Sequence, residues 1–418
     1  MTRHPMTRHP RTRHLRPGSI TFTLLLGSAM AMQMFGMTMT LPALPVIAES
    51  FAATPETTQL TISAFFAGIA LAQLLHGALS DRYGRKPVLL GGLVLYMLSA
   101  LGGAFAPSIE ALIGLRALQG VGAAACIVVS RAMVRDLFER GQAVQMMSRM
   151  GIIIAAVPMI APLLGAWLLP LTGWRGIFGA LAAGSLMVTA ACTLLLGESI
   201  RSRDRTATDP RRILANCWRF VTTPGCLAFA LMMFFASGCM FGYTANSAFV
   251  FMTVFGLSSA DYGWLLTGTG VALLAASAVS ERIARHWSIR KTLSVVTLAY
   301  MLVGLAVLAG SQIATHTGLR GAAGIALIFV PVLFFAFIMG VQFSNIATAT
   351  LHPVPEISGV ASAIMGSTQM LGAGLFVWLG GWLFDGTPAT IGYGIAIGSV
   401  ASCALYFAFG RRHAPDRR

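Results

Sequence analysis

The sequence predicts an all-α membrane protein of twelve transmembrane helices in two pseudo-symmetric six-helix bundles, with both termini in the cytoplasm. Three observations carry this reading. Of the 418 residues, 56% are hydrophobic and only 10% are charged, too little charge to cover a soluble surface. Twelve apolar stretches follow one another, each near the ~20 residues that a helix needs to cross the hydrocarbon core while satisfying its own backbone. Between the second and third lies a charged decamer, Gly77-Ala-Leu-Ser-Asp81-Arg82-Tyr-Gly84-Arg85-Lys86. A degraded copy, Glu281-Arg282-Ile-Ala-Arg285-His286, lies 200 residues on, again between apolar runs. Both are expected to be tight turns at a membrane surface. A surface turn repeated half a chain later marks a duplicated helical unit, and such duplication points to transport.

The spans are placed at 20–47, 60–80, 87–106, 110–131, 144–168, 174–197, 225–252, 260–281, 291–312, 320–349, 357–383 and 389–410. The first follows a basic tail, but it is too long for a signal-peptide core and carries Pro42 and Pro45, so it is kept as helix one. Residues 1–18 repeat Met-Thr-Arg-His-Pro and then Arg-Thr-Arg-His. This tail cannot bury apolar surface and is expected to be disordered, its histidines solvated, with Met6 an alternative start. The first bundle takes 19–197 and the second 225–410, with a tail over 411–418. Between them, 198–224 is polar and basic, and Asp209-Pro210 precedes Ile213, Leu214, Trp218 and Phe220. That pattern predicts an amphipathic segment on the inner membrane surface.

The net charge of +15 raises nucleic acid as a partner, but its distribution excludes the need for one. If the spans alternate, 26 of the 29 Lys and Arg residues fall on one side. Only Arg175 and Arg320 fall opposite, and Arg116 lies within a span. The positive-inside rule makes that side cytoplasmic, its bases meeting anionic lipid. The six cysteines show no C-x-x-C pair and five sit within spans, so neither disulfide nor metal is implied.

The decamer matches the G-x-L-x-D-R-x-G-R-[RK] loop of the major facilitator superfamily, and the chain resembles its Bcr/CflA multidrug-efflux branch. The further residues are Leu41-Pro42-Ala43-Leu44-Pro45, Gln73-Leu74, Leu115-Arg116-Ala-Leu-Gln119-Gly120, Val134-Arg135-Asp136-Leu137-Phe138 and Pro158-Met-Ile-Ala-Pro162-Leu-Leu-Gly165-Ala166. The likeness is dense over 41–180 and thinner beyond, where Phe234–Phe255 and Ser358-Gly359-Val-Ala-Ser362-Ala363 carry it. It implies a monomeric inner-membrane exporter of small hydrophobic or amphiphilic compounds. Such a protein works by alternating access, with no cofactor and with the proton gradient as energy source.

The resemblance also assigns roles. Gly77, Asp81, Arg82, Gly84, Arg85 and Lys86, with Asp136, imply an ion-pair network clamping the cytoplasmic ends in the outward-facing state. Gly77 and Gly84 also fit close helix approach and a tight turn. Arg116 sits ~9 Å inside helix four at ~1.5 Å per residue, where an arginine must face a cavity, pair, or snorkel. The resemblance gives it substrate or proton handling, and Gln119 shares its face. None of the fourteen acids sits in mid-span. Thr38 stands where family members carry a helix-one aspartate, so neutral or anionic substrates are favoured over cations. Glu49, Asp385 and His76 are the remaining candidates for a proton carrier. Pro158, Pro162 and Gly165 form the expected hinge of helix five, with Ala161 and Ala166 replacing two glycines of the family pattern. The pocket is expected to draw on Gln33, Met37, Thr38, Thr40, Asn246, Gln342 and Asn345, with Met30, Met34, Phe241, Tyr243 and Phe249 supplying adaptable apolar surface.

Two alternatives remain open: an exporter dedicated to one metabolite, such as a siderophore or amino-acid derivative, and a membrane-embedded enzyme. The spans hold no H-E-x-x-H, G-x-S-x-G or paired aspartates. Neither charge rings of a channel nor a soluble effector domain is visible.

Overall fold

The computed structural model describes residues 18–200 and 202–416. Of the expected N-terminal tail only Gly18 is among them; Arg201, Arg417 and Arg418 also lie outside. The described residues form helices α1 (Ile20–Thr38), α2 (Leu44–Ser50), α3 (Pro55–Tyr83), α4 (Arg85–Ala104), α5 (Ile109–Leu137), α6 (Arg140–Leu195) and α7 (Pro210–Thr222). They continue as α8 (Cys226–Ala248), α9 (Ser259–Ala284), α10 (Ile289–Thr317), α11 (Gly321–Leu351), α12 (Ser358–Trp382), α13 (Ala389–Leu405) and α14 (Arg411–His413). No strand occurs among the described residues.

Eleven of the described stretches are long and apolar enough to cross a membrane. The longest, Gly141–Leu195, is two spans joined at Gly173, whose φ of 68° leaves the right-handed helical region. The two spans expected at 144–168 and 174–197 are therefore both present, giving twelve spanning helices among the described residues. Helix one ends sooner than expected. After Thr38 the chain takes a 3₁₀ turn over Leu41–Ala43 and restarts as α2, because Pro42 and Pro45 each remove a backbone donor.

The decamer is not an extended turn. α3 runs on through Tyr83 and α4 starts at Arg85, so Gly84 alone, at φ 110°, makes the corner. Gly77 is not needed for close approach: a Cβ there would meet only Val128 Cγ1, at an ordinary 3.9 Å. The degraded copy likewise stays helical to Ala284, its Glu281 and Arg285 paired at 2.8 Å on an exposed face.

The linker helix α7 is capped by the Asp209 carboxylate, which accepts from Arg211 N at 3.0 Å, with Pro210 at its first position. It is amphipathic, but its apolar residues do not share one face. Leu214, Trp218 and Val221 are exposed at i, i+4 and i+7, while Phe220 is fully buried among Cys226, Phe229 and Met233.

Packing holds α3, α4 and α5 together, α1 and α4 against α6, α8 against α12 and α13, and α10 against α11 and α13. Small residues allow this closeness. At Gly120 an added Cβ would run into the Phe65 carbonyl, and at Gly68 into that of Ala117, so α3 and α5 meet backbone to backbone. Two seams join the first and second halves of the chain, α3 with α12 and α6 with α9.

Candidate functional site

Between those seams lies a central cavity in two communicating chambers that share Met34, Ile154, Phe343 and Gln369. The inner chamber, about 290 Å³, is walled by Met34, Leu41, Met240, Phe241 and Leu266, with Thr38, Ser237, Thr244 and Thr269 as sparse hydroxyls. Pro158 and Pro162 line it too. The outer chamber, about 460 Å³, is more polar and is lined by Gln33, Gln73, Arg131, Arg135 and Gln369. It reaches the helix ends that carry the decamer, at Arg135, Leu351 and Gly359.

The opposite end is shut. There Gln59 Nε2 donates to Asn246 Oδ1 across the two halves at 3.0 Å, and a Cβ on Gly381 would press on Glu56 and Gln59. Thr267 Oγ1 donates to the Met159 carbonyl at 3.0 Å and Ser259 Oγ to that of Ala166 at 3.3 Å, closing α9 on α6. Gly165 lies so close to Met39 that a Cβ would meet its carbonyl oxygen, which pins α6 to the end of helix one.

At the decamer end, Arg85 is the hub. Its guanidinium pairs with Asp81 at 2.5 Å and Asp136 at 2.8 Å, and donates to Ser80 Oγ at 2.7 Å. Charge pairs of this kind strengthen where packed helices exclude water. Glu198, beyond the sixth span, accepts from the orphan backbone donors Arg85 N at 3.0 Å and Lys86 N at 3.3 Å at the start of α4. Lys86 in turn donates to the Thr193 and Leu196 carbonyls at the end of α6. Asp81, Arg85 and Asp136 all belong to the first half and are paired while the cavity opens toward this same end. In this conformation the pairing joins helices of one half and does not bridge the two halves. The network instead fixes α3, α4 and α5 to one another.

The linker is strapped over the network. Asp204 N donates to the Asp81 carbonyl at 3.0 Å and Arg82 donates to Thr208 Oγ1 at 2.5 Å, while farther on Arg219 pairs with Glu356 at 3.1 Å. Hydrogen bonds from Thr206 and then Arg212 hold the exposed Asp204 carboxyl down at about 2.

Arg116 does not face the cavity. It is 1% exposed and donates to the Gly36 carbonyl at 2.9 Å, the Thr61 carbonyl at 3.3 Å and Gln119 Oε1 at 2.6 Å. Its guanidinium lies over the Phe65 ring, 4.2 Å from the centroid. Three helices, α1, α3 and α5, thus close on one cation.

Of the other expected pocket residues, Gln33 and Thr38 line the cavity, the Thr38 hydroxyl turned back to the Met34 carbonyl at 3.0 Å. Met37 and Thr40 are buried and line neither chamber. Asn246 belongs to the closed end. Gln342 is bonded to Ser402 and Thr297, and Asn345 to Ser280, away from the cavity inside the second half. His76 is buried with its ring nitrogen on the Ala72 carbonyl, and Asp385 is tied to Thr387 in an exposed turn. Sequence reasoning missed Arg131, Gln73 and Gln369 as wall residues. It also missed Glu198, for which the position of an acid directly after the sixth apolar span was the available signal.

The family model of the Major Facilitator Superfamily matches residues 26–377. The chain belongs to the major facilitator superfamily. As a superfamily member it is a multi-pass membrane protein and a transporter rather than an enzyme. It is 31% identical to the chloramphenicol resistance protein of Pseudomonas aeruginosa, over 77% of this chain and 81% of that one. It is 25% identical to the bicyclomycin resistance protein homolog of Haemophilus influenzae, over 83% and 85% of the two chains. The superfamily fold is matched by the xylose transporter XylE of Escherichia coli in a partially occluded inward open conformation, at a TM-score of 0.71 and 13% identity, covering 93% and 97%.

Proposed function

We propose that this protein exports small hydrophobic or amphiphilic compounds, antibiotics among them, across the bacterial inner membrane. It does so as a monomer embedded in lipid, by alternating access between two six-helix bundles, with the proton gradient as energy source. The base-rich helix ends and the linker then face the cytoplasm, following the positive-inside rule. In this orientation the structure corresponds to the cytoplasm-open state.

One observation carries the reading: a mainly apolar cavity between the chain's halves, open at the base-rich end and shut at the other by Gln59 and Asn246. Met and Phe walls accept varied apolar shapes, and a few amides and hydroxyls orient them. The resistance functions in the names of the two relatives support a drug exporter over a dedicated metabolite exporter.

The test is expression in an efflux-deficient strain, with growth measured against a broad panel of hydrophobic antibiotics. Raised tolerance to at least one compound, with lowered accumulation in the cells, is expected. Unchanged tolerance and accumulation across the panel, with the protein present in the membrane, refutes the reading.

A further inference from the structure

The outer chamber holds a charge that the proposed export function does not use. Arg131, on α5 six residues before its end, lines this chamber. It is densely surrounded by protein yet accessible, because the surface it presents is the cavity wall. Arg85 is satisfied by two carboxylates and Arg116 by two carbonyls and an amide, whereas Arg135, which lines the same chamber, makes no hydrogen bond or ion pair among the described residues. Arg131 makes no hydrogen bond and no ion pair among the described residues. The charge that acts on it is Arg135, one turn on and of the same sign. No Asp or Glu lines either chamber among the described residues.

Polar groups converge on the same space. Gln33 and Gln73 are buried and line the outer chamber, and neither amide makes a hydrogen bond among the described residues, so their Nε2 donors, unlike the acceptor Oε1 atoms, are free to meet an anion. Gln369 spans both chambers. An unpaired cation within a membrane domain is costly unless something neutralises it. A guanidinium with free donors matches a carboxylate, sulfonate or phosphate in a forked pair. Beyond it lies the apolar inner chamber of Met34, Met240, Phe241 and Leu266.

We propose that the outer chamber is an anion site. An amphiphilic organic anion would seat its acidic head on Arg131, with the glutamine amides orienting it, and its apolar body in the inner chamber. This rests on the export reading and names its substrate class. An inside-negative membrane favours outward movement of one negative charge by roughly fifty-fold per 100 mV, so such a substrate leaves downhill in potential.

The test is equilibrium binding to the purified full-length protein by calorimetry, which is independent of export. Three probes share one naphthyl body: 1-naphthylacetate, its neutral acetamide, and the analogue ending in trimethylammonium. The carboxylate is expected to bind at least about tenfold more tightly than the ammonium probe, since a close charge pair is worth at least that factor. Arg131→Gln should erase the preference and Arg131→Lys should restore part of it. Equal binding of all three, no binding of the carboxylate, or an unchanged preference in Arg131→Gln overturns the proposal. Loss of folding in Arg131→Gln would show as a lowered melting temperature, and the wild-type ranking then decides alone. Repeating the titration in phosphatidylglycerol and phosphatidylcholine nanodiscs separates two sources of the anion. Competition by phosphatidylglycerol assigns the site to a lipid headgroup, and none assigns it to a soluble anion; both keep the class. A failed export reading appears separately, as no accumulation change in cells despite selective binding.

Discussion

Replacing Arg116 by alanine separates a structural tie from a substrate contact. The side chain is enclosed by α1, α3 and α5 and donates to two carbonyls and one amide. Polar contacts between membrane helices average about 0.6 kcal/mol and reach about 1.7, so three of them hold about 2–5 kcal/mol. The guanidinium over Phe65 adds about 1 kcal/mol. Removing a buried cation also relieves its desolvation, which offsets part of this. The net loss expected is about 2–4 kcal/mol. Arg116→Lys should lose nearly as much, because an ammonium cannot fork to acceptors on three helices. The assay is thermal unfolding of purified protein in detergent, alongside ligand binding at a temperature where the variant is folded. A melting point lowered by several degrees, with ligand affinity kept in the folded fraction, is expected. A variant that melts like the wild type but binds ligand weakly would refute the tie and restore a role in substrate handling.

The remaining predictions concern the Arg85 network, helix packing, the cavity and the linker. Arg85→Gln should leave Asp81 and Asp136 facing each other uncompensated at the decamer corner and lower transport, whereas adding Asp136→Asn should recover part of it; equal activity in both variants would argue against the network. Gly120→Leu should prevent α3 and α5 from meeting, since the clash is with the Phe65 carbonyl and not with a movable side chain; overpacking of this kind costs about 1–3 kcal/mol or more, read as lost folded protein after membrane extraction. Thr38→Asp places a carboxylate in a cavity wall that has none, and should extend the substrate range toward cations in a panel of matched neutral and cationic dyes. Asp204 is depressed from 3.8 to about 2, so its contribution to the linker strap is present above the unfolded value and fades as pH falls toward 2. Asp204→Asn should therefore leave the shape of the transport profile between about pH 5 and 8 unchanged, and an altered profile would refute this.

The helices were legible because their signal is local. Span length, hydropathy and basic flanks are fixed by the bilayer whatever the partner helix, so the spans are written in consecutive residues, whereas the span expected for helix one runs straight through its interruption at Pro42. Gly173 was less legible. The gap left between the spans 144–168 and 174–197 contains it, with Pro170 just before, but the chain stays one hydrogen-bonded stretch in which only its positive φ makes the corner. The decamer was recognised by its residues but misjudged in shape, since Asp, Arg and Tyr there continue α3 and only Gly84 turns.

The cavity was harder because facing is decided between helices distant in sequence. Spacing put Arg116 and Arg131 on one α5 helix, and depth alone singled out Arg116. Three acceptors on α1, α3 and α5 satisfy Arg116, and nothing on the neighbouring helices satisfies Arg131. Depth measures the cost of placing a charge in a membrane, but function depends on whether that cost has already been met. A satisfied cation stabilises the fold and is unavailable to a ligand. An unsatisfied one in a wall without carboxylates keeps its donors free for whatever enters. In a membrane transporter, the ion-pair census around each buried base therefore discriminates scaffold from site better than its distance from the helix end.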